Sequence, residues 1–331
     1  MIHARVLGDA LRECLSEDPR VVIMGEDIAD PYGGAFKVTK GLSTEFPDRV
    51  RTTPISEAGI TGTAAGLALS GYRPVVEVMF GDFLTLTFDQ IVNHITKYPS
   101  MSAGQATCPV IVRTPMGGGR GYGPTHSQSL EKYFLGIPHL RVLAASTLQD
   151  PLEMFRTLLD EDDAALVIEH KLLYPRQHPE DLGALIVRRP IGESGFPTVR
   201  ISAVPAGDCS LTIAAYGHTA VMVAQLVDRL AVEEEIFVEL VVPTQISPLD
   251  WQPIEESVST TGALLTVEEG TRGWSWGSEV AARIHHSCFS ALRAPVEVLA
   301  SASDIIPSAR QLEDRMLVGV SDIEGAIRRS A

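Results

Sequence analysis

The sequence predicts an α/β protein with two doubly wound domains, each a parallel sheet covered by helices on both faces. Short apolar segments with the length of buried strands alternate with helical segments along nearly the whole chain of 331 residues. This alternation is interrupted in the stretch 174–198, where four prolines and mixed charges are typical of a linker. The length also fits two domains of ordinary size better than one.

The first half opens with a helical pattern at 6–15 and a short apolar strand at 21–24 that leads into Gly25-Glu26-Asp27. Ser56 has the residue type favoured at a helix N-cap and precedes a predicted helix at 57–69. The remaining predicted elements of this half are strands at 75–79, 110–113, 142–144 and 165–169 and helices at 84–96 and 151–159. Strands joined through helices predict a parallel sheet.

A second alternating unit follows the proline-rich stretch. Its predicted strands are 211–215, 237–242, 264–268 and 296–299, and its predicted helices are 219–230, 254–259 and 278–288. One further strand, 184–187, is predicted within the linker. We therefore expect a first domain at 1–180, a linker at 181–200 and a smaller second domain at 201–331.

Composition excludes several classes of function. The chain has 42 acidic and 27 basic residues and a formal net charge of −15, which excludes a broad surface for nucleic acid or anionic membrane. Its longest apolar runs are far shorter than the roughly 20 residues that cross a bilayer, and its N-terminus lacks the pattern of a secretory signal. Four scattered cysteines without a CxxC pair predict free thiols. These features predict a cytoplasmic protein.

The most informative stretch begins at Glu57. This carboxylate stands in the first turn of a helix whose other residues are mostly glycine, alanine and threonine. Small residues allow another backbone to approach closely, and such packing would enclose Glu57 in a buried junction. Acidic residues are also favoured in a first helical turn by the helix dipole alone. The residues themselves therefore leave both interpretations open.

A second candidate is His126, which follows the glycine-rich run 117–124. This run is not a phosphate-binding P-loop, because no Gly-Lys-Ser/Thr follows and it does not open a periodic helix. A flexible backbone here can place His126 at a pocket. A histidine beside such a run can equally be a surface or turn residue.

Five segments stand together in an order that is specific to one family. They are 25–42, which starts Gly25-Glu26-Asp27-Ile28-Ala29-Asp30, then Pro54-Ile55-Ser56-Glu57-Ala58-Gly59, Asp89-Gln90-Ile91-Val92-Asn93, Thr125-His126-Ser127-Gln128-Ser129 and Glu169-His170-Lys171-Leu172-Leu173-Tyr174. With them the chain resembles the β subunits of thiamine-diphosphate-dependent pyruvate and branched-chain 2-oxo acid dehydrogenases, in the transketolase-like superfamily. The resemblance implies a pyrimidine-binding thiamine domain followed by a transketolase C-terminal-like domain.

The resemblance also implies roles for single residues. Glu57 matches the catalytic glutamate that contacts the aminopyrimidine ring of the cofactor, and Phe83 matches the aromatic residue that packs on that ring. Ile55 and Met79 fall nearby as cofactor-binding positions. His126 matches the catalytic histidine at the substrate end of the site. Without the resemblance, Phe83 in its apolar run would be read as a core residue.

Metal sites follow from the resemblance in the same way. Family members hold a structural potassium ion through main-chain carbonyls, which map by position to Val110, Leu158, Leu159, Glu161 and Asp163. Thiamine enzymes also bind the diphosphate through magnesium, typically with a Gly-Asp-Gly motif followed by an asparagine. This chain has three Gly-Asp pairs, beginning at Gly8, Gly81 and Gly207, and none is Gly-Asp-Gly. Magnesium needs hard oxygen ligands, so we expect these on an α chain, in an α₂β₂ heterotetramer.

Three functions remain open. The first is decarboxylation of a small 2-oxo acid with transfer of the acyl group to a lipoyl acceptor, with a lipoyl acyltransferase as a possible partner. The second keeps the thiamine chemistry but joins the product to an aldehyde or another acceptor, as in acyloin or transketolase-type synthesis. It is favoured by departures from the family pattern in the second domain, at 241–244 and 300–307. The third is a non-catalytic scaffold, against which the set Glu57, Phe83 and His126 argues.

Overall fold

The structure is a computed structural model, and it describes residues 1–179 and 182–331. The chain divides into two compact units. The first comprises Met1–Gly117 and Phe134–His178, and the second comprises Gly118–Tyr133 and Pro179–Ala331. The segment 118–133 thus packs with the second unit, although it lies within the first half of the sequence. The domain limits expected from the sequence, 1–180 and 201–331, stay a prediction.

The first unit contains a parallel sheet with six of its strands in the order β5-β6-β4-β3-β1-β2. These strands are β1 (Val21–Gly25), β2 (Val50–Thr52), β3 (Arg73–Glu77), β4 (Ile111–Met116), β5 (Leu140–Ala144) and β6 (Ala164–His170). Every residue of β1, β4 and β6 is buried, as expected for central strands covered on both faces. The predicted parallel sheet is confirmed here, with β2 as an added edge strand.

Six α-helices belong to the first unit. They are α1 (His3–Glu17), α2 (Leu42–Glu45), α3 (Glu57–Leu69), α4 (Leu84–Asp89), α5 (Tyr98–Met101) and α6 (Pro151–Asp160). Helix α1 packs against α6, and α3 packs against β3. The helix predicted at 84–96 is α-helical only to Asp89 and continues as a π-helical segment, Gln90–Ile95. Such wider turns interrupt the α-helical hydrogen-bond ladder and occur often near functional sites.

The second unit contains a six-stranded sheet in the order β13-β12-β9-β10-β8-β7. Its strands are β7 (Ile186–Arg188), β8 (Thr198–Ser202), β9 (Leu211–Ala215), β10 (Val238–Pro243), β12 (Leu264–Thr271) and β13 (Glu297–Ser301), and a short strand β11 (Gln245–Ser247) follows β10. The neighbours from β10 to β13 are parallel, whereas β8 pairs antiparallel with both β10 and β7. The α/β fold is confirmed, and the two antiparallel strands form one edge of it.

Five α-helices complete the described part of the second unit. They are α7 (Gly217–Glu234), α8 (Gln252–Thr261), α9 (Trp276–Ser287), α10 (Arg310–Met316) and α11 (Val320–Ser330). Helix α7 contacts β9, β10 and β12, and α9 contacts β12 and β13. Strand β8 lies in part within the predicted linker. It escaped prediction because only Val199 and Ile201 of its five residues are apolar.

Two chain-wide expectations can be compared with the structure. All four cysteines are buried and unpaired, as predicted, and burial raises the pKa of the Cys14 thiol to about 12. Among the described residues, the longest apolar helical stretch falls short of what a membrane crossing requires.

Candidate active site at the carboxyl edge of the first sheet

Glu57 begins helix α3 and is buried, with 7% of its surface exposed. The N-cap Ser56 accepts a hydrogen bond from the Gly59 amide at 3.2 Å, which fixes where the helix starts. The helix buries one face, formed by Glu57, Ile60, Thr61, Ala64, Ala65 and Ala68. Glu57 is therefore buried within this chain and held at a defined helix terminus.

A second carboxylate lies beside Glu57. Glu26 follows directly after β1, is 5% exposed, and has an Oε1 atom that meets no hydrogen-bond donor among the described residues. Burial raises the pKa of Glu26, the negative charge of Glu57 raises it further, and the Ser56 amide opposes both. A buried acceptor without a donor is costly unless a ligand or water supplies one. The pair thus fits a ligand that offers a polar ring nitrogen or amino group.

Sheet register places the other predicted cofactor residues at the same edge. Gly25 at the end of β1 pairs with Glu77 at the end of β3, and Met79 and Phe83 follow β3 directly. In open α/β sheets, ligands bind beyond the carboxyl ends of the strands. Met79 and Phe83 are both half-buried, which suits residues that line a site. Ile55 differs from them, since 81% of its surface is exposed.

Phe83 belongs to a chain of aromatic contacts. Its ring meets Phe80 edge to face at a centroid distance of 6.0 Å, and Phe80 meets Phe36 in the same manner at 5.7 Å. Phe36 stacks on Tyr174 at 5.0 Å. Such pairs stabilise a packed arrangement by roughly 0.5–1.5 kcal/mol each beyond their buried area. Phe83 therefore packs on Phe80, which two further rings hold in place, and its ring has a defined orientation.

Beneath this edge lies a buried ionic cluster on three neighbouring strands. Arg113 of β4 donates to Glu169 of β6 at 2.7 and 2.5 Å and to Glu77 of β3. The Tyr174 hydroxyl donates to Glu169 at 2.8 Å. Burial opposes the charge on Arg113, but Glu169 and Glu77 outweigh it and raise the arginine pKa. Burial raises the pKa of Glu77, while Arg113 opposes that rise. The cluster ties together the strands that end at the candidate site.

His126 lies in the part of the chain that packs with the second unit. It is half-buried and follows the glycine-rich loop, which we define as residues 118–124. Its backbone amide donates to the Gly123 carbonyl at 3.3 Å, and Thr125 Oγ1 lies 3.0 Å from its Nδ1 atom. Gly119, Gly121 and Gly123 all have φ between 68° and 83°, a region that favours glycine. The placement of His126 at a pocket, which the sequence suggested for a flexible backbone here, stays a prediction.

The positions mapped to potassium already have protein partners. The Val110 carbonyl accepts from the Ala165 amide at 2.9 Å, and the Glu161 carbonyl accepts from the Arg73 guanidinium at 2.8 Å. Leu158 and Leu159 lie in the last turns of α6, and the carboxylate of Asp163 lies 3.2 Å from His139 Nδ1. The positive charge of Arg73 weighs against a cation on the Glu161 carbonyl. The potassium site stays a prediction.

Sequence reasoning missed Glu26 as a site residue. A usable signal existed, because a carboxylate that follows a buried strand directly points to the carboxyl edge of the sheet. It also missed two buried carboxylates of the second unit, Glu269 and Glu313, that bind the glycine-rich loop. No local signal could have found these, since their partners are backbone amides more than 150 residues away along the chain.

Comparison with known proteins agrees with this architecture. The transketolase pyrimidine-binding domain family matches residues 3–177, and the transketolase C-terminal domain family matches residues 203–323. A solved structure titled a split-gene transketolase, inactive β4 tetramer, superposes with a TM-score of 0.73. The superposition covers 100% of this chain and 98% of that one at 20% identity, so it shows a shared fold.

Curated relatives are more similar in sequence. A pyruvate dehydrogenase E1 component subunit β of Leifsonia xyli is 36% identical over 98% of this chain and 93% of its own length. The mitochondrial subunit β-1 of Arabidopsis thaliana is 35% identical, with 98% and 87% covered. The acetoin:2,6-dichlorophenolindophenol oxidoreductase subunit β of Cupriavidus necator is 32% identical, with 98% and 95% covered. With these matches along its whole length, the chain belongs to the family of pyruvate dehydrogenase E1 β-type subunits, built from the pyrimidine-binding and C-terminal domains of transketolase.

Proposed function

We propose that this chain is the β subunit of a thiamine-diphosphate-dependent 2-oxo acid dehydrogenase. The assembled enzyme would decarboxylate a small 2-oxo acid and transfer the acyl group to a lipoyl acceptor. The observation that carries the proposal is the buried pair Glu57 and Glu26 at the carboxyl edge of the first sheet, with one Glu26 oxygen lacking a donor. Family membership supports the same reading.

Bound thiamine diphosphate would supply a nucleophilic thiazolium carbon and a cationic ring that can take up the electron pair left by decarboxylation. Glu57 would bind a nitrogen of the aminopyrimidine ring and hold or release a proton there. Proton transfer by a positioned side chain is most effective when its pKa suits the working pH. Burial and the charge of Glu57 raise the pKa of the neighbouring Glu26, so Glu26 holds a proton more readily beside it.

The other residues of this chain would bind and orient. Phe83, with the rings behind it, and Met79 would pack against the pyrimidine ring, since apolar surfaces line most cofactor sites. His126 would orient the 2-oxo acid by donating a hydrogen bond to it. Ile55, which is 81% exposed on this chain, would contact the cofactor only in company with a second subunit.

Activity is proposed to need an α subunit that supplies the diphosphate and magnesium site. The sequence has no Gly-Asp-Gly motif of its own. The similar split-gene transketolase structure is titled an inactive β4 tetramer, which supports an inactive state for β chains alone. Helix α3 presents an exposed face of small residues, including Ala58, Gly59, Thr63 and Gly66, on which another subunit can pack closely. We propose an α₂β₂ assembly in which this face is covered.

A second candidate function is carboligation, in which the same chemistry passes its product to an aldehyde or another acceptor. The acetoin oxidoreductase β subunit among the relatives supports this second candidate. The departures from the family pattern at 241–244 and 300–307 support it as well. The identity of the acceptor, a lipoyl acyltransferase partner and bound potassium remain further parts of the proposal. A cytoplasmic location is also proposed, on the bacterial relative, whereas the plant relatives are named as mitochondrial.

Calorimetry tests the proposal directly. Thiamine diphosphate with magnesium is titrated into the purified chain alone and into the chain co-expressed with a candidate α subunit. We expect negligible binding by the chain alone and magnesium-dependent binding by the assembly. Tight binding by the chain alone would contradict the divided site. Product analysis of the assembly with a lipoyl acceptor and with an aldehyde then separates the two candidate functions.

A further inference from the structure

We propose that Glu313 is a positioning residue, whose buried carboxylate holds the glycine-rich loop in the shape that orients His126. The inference rests on the proposed function, because that proposal assigns His126 its part in substrate handling. Glu313 lies on helix α10, about 190 residues away from the loop in sequence, and its surface is fully buried. All the contacts involved lie within the second unit.

The two oxygens of Glu313 each accept one loop amide. The Gly119 amide donates to Oε1 at 2.9 Å, and the Gly121 amide donates to Oε2 at 2.8 Å. Hydrogen bonds to a charged acceptor are stronger than neutral ones, and two of them on one carboxylate also define a direction. Alternate amides that converge on one anion resemble the backbone nests that bind phosphate in other proteins. Here the bound anion is a side chain of the same polypeptide.

A second buried carboxylate joins the ends of the same segment. Oε1 of Glu269 accepts from the Gly118 amide at 2.8 Å and from the Ser129 hydroxyl at 3.1 Å. Beyond Ser129, Glu131 accepts from the Tyr216 hydroxyl at 2.6 Å, and Lys132 Nζ donates to Thr271 Oγ1 at 2.5 Å. His126 therefore lies between two anchored ends. Glu313 adds the contacts that hold the interior of the loop.

The close approach explains why this loop is made of glycine. A Cβ atom on Gly118 would lie 2.5 Å from Leu317 Cδ1, and one on Gly123 would lie 2.4 Å from Ser308 Oγ. Both distances are shorter than real Cβ contacts, so a larger residue at either position would displace the Leu317 or Ser308 side chain or the loop itself. Glycine also adopts the positive φ angles that turn the Gly119 and Gly121 amides toward the carboxylate. The glycine-rich loop and Glu313 thus belong together, because the glycines allow the loop backbone to approach the carboxylate.

Replacement of Glu313 by glutamine is the informative change. Glutamine has nearly the same shape but offers only one acceptor oxygen, and its NH₂ group would face an amide N–H. One loop amide then loses its partner, and His126 loses part of its support. Small misplacements of a group at a reacting centre can lower rates by roughly a hundredfold. We expect kcat/KM for the 2-oxo acid to fall by about ten- to a hundredfold on this ground.

The experiment uses the assembled α–β enzyme and two independent readouts. Amide hydrogen exchange of the peptide that spans Gly118 to Ser129, followed by mass spectrometry, reports on the loop without any turnover. Steady-state decarboxylation of the 2-oxo acid reports on function, and deuterium exchange at C2 of the cofactor reports on its activation. Asp314→Asn is the matched control. Asp314 is exposed and follows Glu313 in the sequence, and its replacement removes the same charge without changing a contact to the loop.

We expect Glu313→Gln to speed exchange in the loop and lower kcat/KM, with deuterium exchange at C2 unchanged. Combined with His126→Ala, it should lower kcat/KM no further, because a residue that acts through His126 has nothing left to position. Should Glu313→Gln fail to assemble, Glu313→Asp keeps both acceptor oxygens and should give an intermediate effect in the same measurements.

Four results would overturn the inference. One is loop exchange that stays at the wild-type rate in Glu313→Gln. Another is a loosened loop with full turnover, or a loss of turnover that is additive with His126→Ala. The last is full turnover in His126→Ala itself, which would remove the role that the proposed function gives to His126 and the inference with it. In that case the loop exchange still shows whether Glu313 holds the loop.

Discussion

The pH dependence of stability should depend strongly on Glu268, a residue of β12 that is 1% exposed. Its Oε1 accepts from the Ser275 hydroxyl at 2.5 Å and from the Gly277 amide at 3.0 Å. The carboxylates of Glu131 and Glu268 approach each other around Gly270, where an added Cβ would lie 3.0 Å from the first and 3.6 Å from the second. Burial raises the pKa of Glu268 to about 7, Ser275 opposes this, and Glu131 adds to it.

Whether this group stabilises the fold at low or at high pH depends on which state, folded or unfolded, holds the proton. The folded chain keeps Glu268 protonated up to about pH 7, whereas the unfolded chain releases that proton near pH 4.5. Stability from this group is therefore present at acid pH and is lost as the pH rises toward 7. Each pKa unit is worth about 1.4 kcal/mol, so the loss amounts to roughly 3 kcal/mol of unfolding free energy.

Glu268→Gln removes the titration while Oε1 remains to accept from Ser275 and Gly277. We expect the variant to be more stable than wild type at pH 8, with an advantage roughly 2–3 kcal/mol larger than at pH 5. Urea denaturation of both proteins at the two pH values measures this double difference, in which titrating groups that do not interact with Glu268 cancel. Glu279→Gln, at an exposed position of α9, is the control and should change equally at both values. An advantage independent of pH would refute the reasoning.

Three further predictions concern assembly and catalysis. Gly66→Leu should weaken α–β association by about 1–3 kcal/mol through overpacking. Within this chain the change meets no obstacle, because a Cβ at Gly66 has no atom within 4 Å and leucine favours a helix more than glycine does. Sedimentation of mixed subunits measures the association, and Gly207→Leu, at an equally open and exposed position, is the control. An unchanged association constant would count against the covered face of α3. Glu57→Gln in the assembled enzyme should retain cofactor binding but slow deuterium exchange at the thiazolium C2 by ~10²–10⁴-fold. Exchange at the wild-type rate would mean that Glu57 is only a charge at a helix terminus, with no part in activating the cofactor. His126→Ala should show the reverse, with normal C2 exchange and impaired turnover of the oxo acid, and a slowed C2 exchange would contradict this division of roles.

Much of the fold was predictable because apolar periodicity is a local property. The buried runs of β1, β4 and β6 are near-continuous apolar segments, so each could be recognised without its neighbours. Strand β8 was missed although Thr198–Ser202 alternates polar and apolar residues, because it has only two apolar residues and directly follows the proline-rich stretch. Local pattern also cannot reveal that Thr198–Ser202 runs antiparallel to β10.

The candidate site was predictable only in part. Glu57 and Phe83 were found because the family resemblance marks them, and the burial of Glu57 agrees with that assignment. The influence of Glu57 on Glu26 depends on how α3 docks at the end of β1, which is a tertiary property. The same limit applies to Gly62, a small residue of α3 whose surroundings could not be judged from sequence. In the structure the Gln90 side chain lies 3.2 Å from where its Cβ would stand, so Gly66 is the better probe of the interface.

The buried cluster of Arg113, Glu77 and Glu169 has a consequence for how this sheet can change over evolutionary time. Removing one partner leaves a buried charge uncompensated at a cost of about 3–5 kcal/mol, whereas replacing a whole buried ionic group with apolar residues is often neutral or stabilising. A route from this cluster to an apolar sheet centre must therefore pass through a variant that has lost a large share of a typical stability of about 5–15 kcal/mol. Strands β3, β4 and β6 can thus change at these three positions only by simultaneous substitutions, which are rare.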